Sequence, residues 1–325
     1  MGARRVLVIG STGFAGRHFV EAARKAGLEV VTAARRGRAA DLVCDLFEPR
    51  TIEESIAECS PDAIVNLAGA ASVGRSWNEP ADTFALNAGG VVNLLEALTG
   101  RPDEAHVVCV SSGEVYGAPS GDELPLAESA AVLPVNPYGT SKAAMELVCG
   151  QYERSAGLRI AVMRAFNHLG PGQSDDFAAS SFARQIAAAE ADCRERVELR
   201  TGDLTSERDF SDVRDVVDAY VAAVERELRG TFNVCSGRSE PIESLLAELR
   251  RHARVQIDVR VDSDRLRPDD APRIYGSYGL LHEAAGWEPR IPLARTLGDL
   301  LDWWRGRLAE GTATSVPVEP DNPRA

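Results

Sequence analysis

The sequence predicts an α/β protein: a Rossmann-type, doubly wound parallel sheet with a smaller α/β substrate-binding domain interleaved with it. Three observations carry that expectation. Short apolar runs alternate with longer amphipathic stretches through the first half of the chain. The first run ends in a glycine-rich turn, and the pattern loosens in the second half, where helical stretches dominate.

Arg5–Ile9 is the first strand, and the glycine turn after it opens a helix over Phe14–Ala26. Leu28–Ala33, Asp41–Cys44, Ala63–Ala68, His106–Val110 and Arg159–Arg164 read as further strands. They are too continuously apolar to leave one face in water, so the sheet is covered on both sides. Thr51–Cys59, Pro80–Leu98 and Tyr138–Ser155 supply the covering helices. In the second half Ser180–Ala189, Val213–Glu227, Glu243–His252, Leu280–Ala285 and Thr296–Leu308 read as helices. Val197–Arg200 and Gln256–Val261 read as short strands, and Thr231–Cys235 as one more core strand. Residues 1–165 with about 209–235 are therefore assigned to the sheet domain, and about 166–208 with 236–310 to the smaller one. Residues 311–325, rich in Pro, Thr and Asp, read as a disordered tail.

The charge balance narrows the function. Lys plus Arg total 36 against 49 for Asp plus Glu, a net −13, which argues against nucleic acid and membrane surfaces as partners. An anionic ligand then needs a local pocket of amides and arginines. The six cysteines (Cys44, Cys59, Cys109, Cys149, Cys193, Cys235) lie far apart, mostly in apolar runs, with no metal or disulfide spacing. Arg4-Arg5 before Val6–Ile9 has too short an apolar run for an export signal, and no stretch reaches membrane-spanning length. The expected location is the cytoplasm.

Gly10-Ser11-Thr12-Gly13-Phe14-Ala15-Gly16 is the first chemical signal. A pyrophosphate needs close backbone approach and free amides at a helix start, and glycines permit both. Standing alone, such a cluster reads equally well as a tight turn; its place directly after a buried strand favours the phosphate. The second strand ends in Arg35-Arg36 where an NAD site carries an acid, so NADP(H) is favoured over NAD(H). The alternative is a pair of solvated loop charges. Asp45 and Leu46 after the third strand suit the adenine edge, and Leu67-Ala68-Gly69 make a small-residue turn beside the cofactor.

Tyr138 and Lys142 stand four apart at the start of a helix, so phenol and ammonium share a face. A cation beside the phenol is expected to lower its pKa towards neutrality and fit it for proton transfer at a carbonyl while a nicotinamide exchanges hydride. Ser112 ends the fifth strand at the carboxyl edge, where such sheets bind ligands. By itself it reads as a cap or turn serine. His168 is expected in a loop, as a structural residue rather than a base.

From Val6 to about Arg307 the chain resembles the extended short-chain dehydrogenase/reductase family of nucleotide-sugar enzymes. The strings that carry the likeness are Ser72 to Trp77, SSGEVYG from Ser111, RAFNHLGPGQ from Arg164 and SFARQIA from Ser181. RDFSDVRD from Arg208, NVCSGR from Asn233, Arg267-Pro268 and GWEPRIPL from Gly286 complete them. They are most similar to the family's reductases of GDP-linked 4-keto-6-deoxyhexoses. The resemblance implies NADPH-dependent reduction of a C4 ketone, GDP-4-keto-6-deoxy-D-mannose to GDP-D-rhamnose. Ser112 and Tyr138 would hold and protonate O4, and Lys142 would hold the cofactor ribose. Ser72, Arg75, Asn167, Arg208 and Arg267 would contact the nucleotide sugar, and the protein would pair as a homodimer through helices near Pro80–Leu98 and Tyr138–Ser155. Glu114 matches the acid that dehydratases use for proton removal, so a 4,6-dehydratase or 4-epimerase with tightly held cofactor stays open. A non-catalytic dinucleotide-binding sensor is the rival from another class. Asp203, Ser277 and Leu280 depart from the family pattern, which leaves the nucleotide base open.

Overall fold

The computed structural model describes residues 3–101, 105–262 and 271–311. From the start, β1 (Arg5–Ile9), α1 (Phe14–Lys25), β2 (Glu29–Ala34), β3 (Leu42–Val43), α2 (Pro49–Cys59) and β4 (Ala63–Asn66) follow one another. Next come α3 (Val73–Ser76), α4 (Pro80–Phe84), α5 (Gly90–Glu96), β5 (His106–Ser112), α6 (Pro137–Ala156) and β6 (Arg159–Ala165). The second half begins with β7 (Asn167–Leu169), α7 (Ala178–Ala191), β8 (Arg196–Thr201), β9 (Glu207–Arg208) and β10 (Phe210–Asp212). It continues through α8 (Val213–Glu225), β11 (Gly230–Val234), β12 (Glu240–Pro241), α9 (Ile242–His252) and β13 (Gln256–Val261). β14 (Arg273–Ile274), α10 (Gly279–Ala285) and α11 (Leu293–Ala309) close the described chain.

The central sheet has seven strands in the order β11-β6-β5-β4-β1-β2-β3, every neighbour parallel. This is the doubly wound Rossmann-type sheet the sequence predicts. The order reverses between β1 and β4, so their carboxyl ends flank the crevice in which such sheets hold ligands.

Alternation along the strands explains the burial. Leu7, Ile9, Ile64, Val107, Ile160 and Val162 enter one core, beneath α2, α5 and α6. Their neighbours Val6, Val8, Ala63, Val65, Val108 and Ala161 enter the other, beneath α1 and α8. Successive side chains point to opposite faces, so a strand buried on both must be apolar throughout. The second half has its own core, in which Phe182, Ile186, Leu246, Leu300 and Trp304 are buried together. The Trp304 indole donates to Ser180 at 2.9 Å. Small pairings complete this half: β13 with β8, β10 with β7, and β9 between β12 and β14.

Three departures from the sequence expectations have local causes. Pro80–Leu98 is helical without a break to Glu96 but not uniformly so: a π-turn over Ala85–Gly89 joins α4 to α5. The wider turn falls where buried Asn87 is held across to Ala70 and Ser141, and where Gly90 meets Leu46 so closely that a Cβ would stand 2.9 Å from it. The fourth strand stops at Asn66, whose side chain takes the amide of Ala68 at 3.1 Å and turns the chain. His168 is in strand rather than loop, paired in register with Ser211.

Five cysteines are buried and Cys193 is exposed, all six as free thiols. Burial pushes Cys44 up to about 12 and Cys59 to about 11. Among the described residues no helix is long and apolar enough to cross a membrane, and no His, Cys, Asp and Glu cluster could hold a metal. Residues 312–325 of the expected tail lie outside the described residues.

Candidate active site

The glycine turn fills the end of β1 and the start of α1. Gly10 takes φ +82°, and a Cβ on it would stand 2.5 Å from the Ala68 amide nitrogen. A Cβ on Gly16 would stand 2.2 Å from the Gly10 carbonyl oxygen. Both positions therefore admit only glycine. Gly13 caps α1 with no side-chain bond, and no acid occupies the first helical turn. With neither a side-chain cap nor an acid there, the start of α1 beside bare glycines suits a pyrophosphate. Thr12 and Ala15 line the same turn, half-buried, and Phe14 stacks on His168 with ring centres 5.9 Å apart and planes 5° from parallel.

The expected edges of a dinucleotide site surround this turn. Arg35 follows β2 and is half-buried. Asp45 accepts from the Phe47 amide at 2.9 Å, and Leu46 is buried beneath Gly90. Leu67 donates its amide to the Ile9 carbonyl at 2.9 Å, which lays Leu67, Ala68 and Gly69 beside the glycine turn. A Cβ on Gly69 would stand 3.4 Å from the Lys142 Nζ, so the two groups are neighbours.

Ser112, Tyr138 and Lys142 meet at the carboxyl end of β5. Asn136 caps α6 by accepting the Gly139 amide at 2.7 Å, and Pro137 takes the first helical position. Tyr138 and Lys142 therefore occupy the first turns on one face, both buried. The Ser112 hydroxyl accepts the Glu114 amide at 3.2 Å and lies near enough to the Tyr138 phenol to act on its proton. Lys142 Nζ donates to the Val110 carbonyl at 2.8 Å and stands 5.9 Å from the Tyr138 ring centre.

The electrostatics correct one expectation. Burial pushes the Tyr138 phenol up to about 12, opposed by Ser112 and reinforced by Glu114; the ammonium does not bring it to neutrality. Burial also brings Lys142 down to about 8. Desolvation dominates at both groups because both charged forms are kept from water.

The remaining expected residues are placed as follows. Ser72 caps α3 by accepting the Arg75 amide at 3.2 Å, and Arg75 pairs with Asp176 at 2.9 Å across to the loop before α7. Glu114 accepts from the Asn136 side chain at 2.8 Å. Asn167 is exposed at the start of β7, and Arg208 is buried in β9 with Nη1 on the Glu207 carbonyl at 2.8 Å. Asp203 turns its carboxylate onto Thr205 and Ser206, which hold it down to about 2. Arg267 lies outside the described residues.

Sequence reasoning missed several residues that build this site. Ser76 accepts the Tyr138 amide at 3.2 Å. Asn87 holds both polar groups of Ala70 and donates to Ser141 at 2.9 Å. Asn136 could have been found, since Asn before Pro at a helix start is a capping signal. The other two act across long sequence separations and leave no local pattern.

The chain is similar throughout to proteins of one family. The NAD dependent epimerase/dehydratase family matches residues 6–235. The chain is 36% identical over 312 residues to a GDP-6-deoxy-D-mannose reductase of Pseudomonas aeruginosa, covering 94% of this chain and 99% of the relative. A solved structure of RMD from Pseudomonas aeruginosa complexed with NADPH superposes with a TM-score of 0.82 at 36% identity, covering 94% of this chain and all of that one. A UDP-glucose 4-epimerase from Thermus thermophilus in complex with NAD gives a TM-score of 0.82 at 30% identity, covering 93% and 99%.

Proposed function

The chain belongs to the NAD dependent epimerase/dehydratase family, and from that premise we propose that it reduces the C4 ketone of a nucleotide-linked 4-keto-6-deoxyhexose with NADPH, converting GDP-4-keto-6-deoxy-D-mannose to GDP-D-rhamnose. The observation that carries the reading is the meeting of Ser112, Tyr138 and Lys142 beside the glycine turn. NADP(H) is the favoured cofactor and NAD(H) the alternative, in keeping with the NADPH and NAD of the solved neighbours.

Gly10, Thr12, Gly13, Phe14, Ala15 and Gly16 would hold the pyrophosphate, and Arg35 the 2′-phosphate. Asp45, Leu46, Leu67, Ala68 and Gly69 would border the adenosine and nicotinamide halves, with Lys142 on the ribose. The bound nicotinamide supplies hydride to C4. As negative charge builds on O4, Ser112 donates a hydrogen bond to it and Tyr138 passes its proton to it. A phenol held up at about 12 is fully protonated at neutral pH, which is the state an acid needs. An alkoxide is a far stronger base than a phenolate, so the transfer still runs downhill. Lys142 then compensates the phenolate until a proton returns from water.

Asn167, Arg208 and Arg267 suit the diphosphate, with Ser72 and Arg75 beside the sugar nucleotide. Glu114 is engaged by Asn136, which favours a clamp at the helix start over the base of a dehydratase. Trp77, Phe84 and Leu147 expose large apolar surfaces on the α3, α4 and α6 side, which supports a homodimer formed there. The free buried thiols and acidic balance support a cytoplasmic enzyme.

The test offers the protein GDP-4-keto-6-deoxymannose with NADPH, and separately GDP-mannose with NADP. Stoichiometric NADPH loss with a 6-deoxyhexose product is expected. A ketosugar from GDP-mannose without net cofactor change would make it a dehydratase instead.

A further inference from the structure

Behind Tyr138 and Lys142 the same face of α6 carries a third polar side chain, Glu146, which the mechanism above does not use. Residues 138, 142 and 146 recur every four positions and so form one stripe along the helix. The Glu146 carboxylate accepts from Ser111 Oγ at 2.5 Å and from Arg164 Nε at 2.9 Å, and its second oxygen accepts Arg164 Nη2 at 2.6 Å. The pair is enclosed, with side chains 10% and 7% exposed.

Its partners are the ends of the strands beneath the site. Ser111 directly precedes Ser112, and Ser111 and Arg164 are register partners on β5 and β6. Arg164 Nη1 also donates to the Tyr116 hydroxyl at 2.8 Å and the Glu128 carbonyl at 3.1 Å. Tyr116 in turn donates to Asn233 Oδ1 at 2.7 Å, and Asn233 Nδ2 reaches the Ser277 carbonyl at 3.2 Å. The chain of contacts thus runs from α6 through three adjacent strand ends to the segment before α10. A buried ion pair is a weak device for stability alone, because apolar side chains of similar volume often serve as well. What it does well is fix one alignment, since its bonds are directional.

We propose that Glu146 is a positioning residue, which through Ser111 and Arg164 fixes the face of α6 bearing Tyr138 and Lys142 against the strand end bearing Ser112. The inference rests on the reductase reading. Tyr138→Phe tests that reading separately: it removes turnover if the site is correctly assigned, and retained turnover would refute the site whatever Glu146 does.

The decisive variant replaces both charges, Glu146→Leu with Arg164→Met, so that no buried charge is left unpaired. The melting temperature, NADPH dissociation constant, kcat and sugar KM are measured on it. A misalignment remote from the reacting atoms can cost up to about 100-fold. The expected result is a folded protein with NADPH affinity and KM near the parent values and kcat lowered by about 10-fold or more. Parental kcat in the folded double variant would overturn the proposal and leave the pair as packing. Should the double variant not fold, Ser111→Ala decides: it keeps the ion pair and removes only the strand-end contact. A several-fold fall in kcat at unchanged NADPH affinity supports the positioning role, and an unchanged kcat refutes it.

Discussion

Asn136 holds Glu114 and the first turn of α6 with the two ends of one amide: its nitrogen donates to the carboxylate at 2.8 Å and its oxygen takes the Gly139 amide at 2.7 Å. The acid that could have served as a proton-abstracting base is therefore tied to the start of the helix that carries Tyr138. Glutamine at 114 keeps an oxygen for that bond. Glu114→Gln should leave ketone reduction within about threefold of the parent, whereas loss of a true general base costs about 100-fold or more. NADPH consumption with the ketosugar measures the difference, and a collapse of turnover would return Glu114 to a chemical role.

The pH response follows from Lys142 and Tyr138. Lys142 is brought from 10.5 down to about 8 by burial, so its charge beside the phenol is lost as pH rises through that value. Tyr138, held near 12, keeps its proton throughout. The reduction rate should fall above about pH 8. Stability moves the other way: a lysine whose folded pKa lies below its unfolded one favours unfolding at low pH, and that penalty is relieved between about 8 and 10.5. Rate and melting temperature measured across this window should therefore diverge. A flat rate profile to pH 10 would remove Lys142 from the mechanism.

The glycine turn separates its three glycines by severity. At Gly10 and Gly16 an added methyl group collides with backbone, at 2.5 and 2.2 Å, and at Gly10 the positive φ adds strain. At Gly13 the nearest atom is 3.3 Å away, which a small shift relieves. Gly10→Ala and Gly16→Ala should abolish NADPH binding as read by nicotinamide fluorescence, while Gly13→Ala should weaken it less. Equal effects at all three would contradict the close backbone approach.

Asn87 is 2% exposed and satisfies both polar groups of Ala70 as well as Ser141. Asn87→Ala leaves the half-buried amide and carbonyl of Ala70 without this partner, at a cost of up to about 1–3 kcal/mol each, while Ser141 keeps its bond to the Tyr138 carbonyl. A fall in melting temperature of several degrees is expected, together with weaker NADPH binding, because the turn at Gly69 loses its support. An unchanged melting temperature would mean that water replaces the side chain.

The core strands and the Ser112, Tyr138 and Lys142 set were legible because their signals are local. A strand buried on both faces must be apolar residue by residue, and a helix face repeats within four positions. What was not legible depends on distance. Nothing near Asn87 in the chain announces that it reaches Ser141, and the π-turn that aims it looks like ordinary helix. Arg75 reads as a contact of the nucleotide sugar, and nothing around it in the chain announces that the fold brings Asp176 to 2.9 Å from it. The phenol of Tyr138 was misjudged for the same reason, since a cation four residues away is visible in a sequence but burial is not.

The uneven burial of the thiols has a practical use. Five of the six are shut inside the protein, and Cys193 alone stands open in the turn after α7. A thiol-reactive dye added to the folded wild-type chain would therefore label one known place, on the half of the molecule away from the seven-stranded sheet. The protein carries its own attachment point for fluorescence measurements, and no background cysteine need be removed first.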